Sequence, residues 1–71
     1  MDEKTSWETF FKMMIADEHG AQKKYEMAGD LAESPELKKV FAKLAGEEQF
    51  HAQILESEML KLEKKQVNSK Q

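Results

Sequence analysis

Glu18, Glu48 and His51 are the residues of this chain whose types and spacing could hold a metal ion. Glu48 and His51 form a Glu-x-x-His pair within Leu44 to Leu55, a stretch that reads as helix. Residues three apart lie on one helix face, about a turn from each other, so a carboxylate and an imidazole point the same way. Alternating steps of three and four backwards from Glu48 reach Leu44, Phe41 and Leu37. Forward from His51 they reach Leu55 and Leu62, with Glu58 between. Such a row is a seam through which a partner helix packs. Ionisable groups buried there without partners are costly. Either they share a metal ion, or the helix packs through another face.

Two helices must position these groups. Thr5-Ser6-Trp7-Glu8 resembles a capping box, which places a helix start near Ser6. From there Trp7, Phe11, Met14, Glu18, Ala21, Tyr25, Ala28 and Ala32 recur at steps of four and three, and Glu18 is the one charged member. Gly29 reads as a tolerated glycine on a solvent face; at Gly20 a solvent face and a close helix approach are equally open. Ser34-Pro35-Glu36 marks the next start: a good N-cap, proline at the first helical position, and an acid where the helix dipole favours it. The expected elements are a helix over about 6–32, a turn at 33–35, a helix over about 35–65 and a disordered tail at 66–71. So short a turn folds the helices back antiparallel.

The three residues then stand at one height. Glu18 precedes Ser34 by 16 residues, and Glu48 and His51 follow it by 14 and 17. At about 1.5 Å per residue these are roughly 24, 21 and 26 Å from the bend. Two Glu and one His are too few for two metal ions. They are half of the set that carboxylate-bridged four-helix bundles use, one Glu from each of two helices and Glu-x-x-His from each of the others. Two copies about a twofold axis would complete the set and cover the seams that one hairpin leaves open. Iron, manganese and zinc all suit these ligands. Tyr25, two turns beyond Glu18, could hydrogen-bond a ligating carboxylate or serve as a core aromatic. His19, Asp17 and Glu47 read as solvent-facing, and Met59 competes with Glu58 for one packing place.

The 71 residues allow one small all-α domain, and a chain of this size usually needs a metal, a staple or oligomerisation. There is no cysteine, so disulfide and thiolate sites are excluded and the cytoplasm is the default compartment. All eleven basic residues are lysine and the net charge is −3. No basic stripe forms and no arginine offers bidentate base contacts, which argues against nucleic acid. No apolar run approaches the ~18 residues of a membrane span, and MDEKTSWE lacks the features of a signal peptide.

The stretches DEHGAQKKYEMAGDLAE and FAKLAGEEQFHAQIL, carrying Glu18, Tyr25 and Glu48-x-x-His51, resemble the rubrerythrin-like branch of the ferritin-like superfamily. The likeness is greatest to encapsulated ferritins, whose subunits are two-helix half-ferritins. The resemblance covers roughly Trp7 to Leu62. It implies a hairpin that dimerises into a four-helix bundle, with two iron ions at the subunit interface. Glu18 and His51 would be terminal ligands and Glu48 the bridge. It further implies ferroxidase activity, rings of dimers, and residence inside a protein nanocompartment, an encapsulin shell. Two alternatives stay open: a metal-holding module with negligible turnover, and a helical assembly module without metal.

Overall fold

The computed structural model of the chain describes residues 3–69, with side chains described over 6–64. It consists of two helices, α1 (Glu3–Leu31) and α2 (Pro35–Ser69), folded back on each other. Ser34 ends the turn as expected. Its Oγ accepts a hydrogen bond from the Leu37 amide at 3.0 Å, and Pro35, which has no amide hydrogen to satisfy, opens the helix. Across the turn, Lys38 Nζ donates to the Gly29 carbonyl at 3.0 Å, satisfying an acceptor near the C-terminal end of α1.

Both outer bounds differ from the sequence expectation. α1 begins at Glu3, so Thr5 is inside the helix and is not its cap. Glu3 and Lys4 are good helix formers, and nothing ahead of Thr5 stops the turn. α2 runs to Ser69, so 66–69 are helical where a disordered tail was expected. Gln66-Val67-Asn68-Ser69 contains neither glycine nor proline, and polarity alone does not end a helix. Residues 70 and 71 lie outside the described residues.

On α1 the half-buried positions include Phe11, Met14, Glu18, Ala21, Tyr25 and Ala28, the expected three-and-four row without its first member Trp7, which is exposed. On α2 the contact axis is turned slightly from the expected one. Ala45 and Ala52 are the most buried residues, at 7% and 1% exposure. Phe41, Leu44, Glu48, Leu55, Met59 and Leu62 are half-buried around them, while Leu37, His51 and Glu58 are exposed. His51 therefore flanks the seam rather than occupying it, and Met59 takes the place that Glu58 might have had. Alanines seven apart give the small surface over which two helices can approach closely, and such residues are faint in a pattern built on large apolar ones.

Gly29 also corrects the expectation. A β-carbon there would stand 3.5 Å from Phe41 Cβ, so this glycine faces α2, whereas Gly20 has nothing within 4 Å of that point. Tyr25 stacks on the same Phe41, with ring centroids 6.3 Å apart. At the other end Trp7, Phe10 and Phe11 form an aromatic cluster with centroid distances of 5.6–6.1 Å.

The Cα trace measures 57 × 19 × 10 Å, one layer of helices. Domains are normally built from at least two packed layers around a shared core. Among the described residues the fully sheltered apolar side chains are two methyl groups. No described helix is long and apolar enough to cross a membrane.

Candidate metal centre

Glu18 reaches across the hairpin from α1, and Glu48 and His51 reach back from one turn of α2. His51 Nδ1 lies 3.6 Å from Glu18 Oε1 and 3.8 Å from Glu48 Oε2. The ligand atoms of all three residues fall within 4.8 Å of one another. The imidazole distances are too long for hydrogen bonds. They match instead the spacing of donors around one cation, since two atoms each about 2.1 Å from an ion stand roughly 3–4 Å apart.

The two carboxylates are largely sheltered, with Glu18 and Glu48 side chains 18% and 20% exposed. Glu18 Oε2 is buried without a hydrogen-bond partner, a condition proteins rarely leave unrelieved. Glu48 has its pKa raised above the ordinary carboxylate value. A hydrogen bond to Glu18 favours its protonated form, partial burial adds to this, and the negative charge of Glu18 adds further; His51 acts in the opposite direction. Two carboxylates crowded in this way repel each other, and a cation between them would relieve that repulsion. The donor set, the orphaned oxygen and the crowded carboxylates all fit a divalent metal held by Glu18, Glu48 and His51.

His51 is the open member, half exposed where the carboxylates are not. One side of the cluster is thus walled by the hairpin and the other faces outward. Tyr25, the other residue singled out from the sequence, stacks on Phe41 as described above. His19 approaches Glu56 across the hairpin at 3.9 Å with both side chains about half exposed. Sequence reasoning passed over this pair and Ala52 alike, because both follow from the contact axis running through Ala45 and Ala52. No large side chain announces that axis.

Comparison with known proteins adds one positive finding. Neither the curated proteins nor the solved structures contain a significant match to the chain. The family model described as Rubrerythrin, however, matches residues 9–71, nearly the whole length and all three clustered residues. The chain belongs to the rubrerythrin family.

Proposed function

We propose that this protein is a ferroxidase of the encapsulated-ferritin type, in which two copies complete a di-iron site and oxidise Fe(II) to Fe(III) for storage or detoxification. The observation that carries this is the convergence of Glu18, Glu48 and His51, with Glu18 Oε2 sheltered and unpartnered. Rubrerythrin-family members typically bind iron and are often iron-dependent oxidoreductases. The half-set of ligands on one hairpin, its exposed His51 side and its single layer of helices all support completion by a second copy. In this reading rings of such dimers, within an encapsulin shell, are the higher assembly. Manganese or zinc could occupy the same donors.

Fe(II) is the substrate: each ion gives up one electron, and two electrons with two protons carry dioxygen to hydrogen peroxide, or hydrogen peroxide to two waters. The chain's own residues prepare this step. Four carboxylates from two copies balance the charge of two divalent cations and favour the trivalent product further. Ligation needs the Glu48 carboxylate ionised, so a cation displaces the proton that its raised pKa favours. His51, with its Nδ1 turned toward both acids, contributes a neutral donor.

Anaerobic titration with Fe(II) followed by air should show about one iron per chain and a ferric absorbance. Glu48→Ala and His51→Ala should each abolish both signals while circular dichroism remains helical. Normal turnover by either variant would exclude this site. Tight metal binding with oxygen uptake no faster than iron in buffer would instead indicate a metal-holding module.

A further inference from the structure

The outer face of α1 carries a second pattern that the metal cluster does not use. Phe10, Asp17, Lys24 and Leu31 recur every seven residues and are all exposed. Their midpoint falls between Gly20 and Ala21. Reversing the helix about that midpoint lays Phe10 on Leu31 and Asp17 on Lys24, apolar on apolar and acid on base. A parallel pairing in register would set Asp17 on Asp17 and Lys24 on Lys24. Among the described residues neither Asp17 nor Lys24 is in an ion pair within the chain.

The midpoint is also where two helices could approach most closely. A groove on this face is lined by Ala16, Asp17, Gly20, Ala21, Lys24 and Tyr25. A β-carbon at Gly20 would meet nothing within 4 Å. Small residues at the centre of such a face let backbones come together, and the larger Met13 and Met27 stand on either side of it. The exposed area calls for a partner as well. A compact monomer of this mass exposes about 4,500 Å². This chain exposes 5693 Å². The excess, roughly 1,200 Å², is of the order one partner contributes to a standard interface, ~800 Å².

We infer that α1 pairs antiparallel with α1 of a second copy, about a twofold axis at Gly20–Ala21, with Asp17 against the partner's Lys24 and Phe10 against the partner's Leu31. The pairing specifies the register of the two-copy assembly proposed above, and it rests on that assembly but not on the metal. The groove abuts the seam through Ala21 and Tyr25, and Asp17 adjoins Glu18. An α1–α1 contact therefore fixes where the two clusters stand relative to each other.

The chain has no cysteine, so Gly20→Cys supplies a unique thiol beside the axis. A short bismaleimide, used under argon with and without Fe(II), should convert this variant to a covalent dimer. Gly46→Cys, equally unobstructed but on α2, should stay monomeric in the same test. Independently, Asp17→Lys and Lys24→Asp should each weaken self-association about tenfold or more, read by sedimentation, because each creates two like-charge contacts per dimer. The double variant should restore association, and an equimolar mixture of the two single variants should prefer the mixed dimer. Circular dichroism shows whether each variant remains helical, and the cross-link tests the geometry without altering any charge. Association indifferent to the swaps, no cross-link at Gly20→Cys in a chain that still assembles, or a monomer under every condition would each overturn the pairing. If iron is bound and oxidised while the pairing tests fail, the register is wrong and the ferroxidase stands. If the cross-link and swaps behave as described but no iron binds, the reverse holds.

Discussion

Glu48 stands between two influences of opposite sign, and its titration makes a prediction. Its folded pKa lies above the ordinary 4.5, first through the hydrogen bond with Glu18. Its contribution to the stability of the metal-free chain is therefore present at low pH and is lost as pH rises through the raised value. Metal affinity runs the other way, because ligation needs the carboxylate, and is lost as pH falls through the same window. Metal-free thermal midpoints should rise, and iron binding should weaken, as pH descends toward the ordinary carboxylate value. Glu48→Gln should flatten the first dependence and weaken binding at every pH; parallel melts and metal titrations decide the matter. That these three residues meet was legible beforehand, because heights along a hairpin follow from counting residues to the bend. The exposure of His51 was not, because three-and-four counting cannot tell a seam position from its flank when the neighbouring residue is an alanine.

At the scale of the helices, Ser34-Pro35 could be read from sequence because both residues act on their own backbone. The glycines could not, since what a missing side chain faces depends on the other helix. Gly29 shows the difference. A methyl group there would sit in ordinary van der Waals contact with Phe41, and alanine is favoured over glycine within a helix by up to ~1 kcal/mol. Gly29→Ala should accordingly stabilise the protein by about 0.5–1 kcal/mol. Chemical denaturation at fixed protein concentration measures it, and a loss of stability would mean that the helices are closer at this point than the structure has them. The far end of α2 was read as a tail from its polarity, yet helix persists there because a chain with no glycine or proline meets no local reason to stop.

For the whole molecule, length alone raises the expectation of a partner, and the single layer of helices gives that expectation a shape. The surface proposed for that partner is not legible in the sequence pattern of the seam. Asp17 and Lys24 look like ordinary solvated charges until Phe10 and Leu31 are seen at the same interval on the same side. Met13 and Met27 border that strip, 62% and 63% exposed. Thioethers are oxidised by hydrogen peroxide to polar sulfoxides, and the proposed oxidation of iron by dioxygen would yield that oxidant beside the protein. Unassembled chains should thus accumulate sulfoxide at both methionines during turnover, while assembled chains are shielded. Peptide mass mapping of the two fractions will read this directly, and equal oxidation in both would place these side chains outside any contact. A modified chain would carry a polar scar along the border of the proposed docking strip. The protein would in this way sort its damaged copies from its sound ones with no help from another factor.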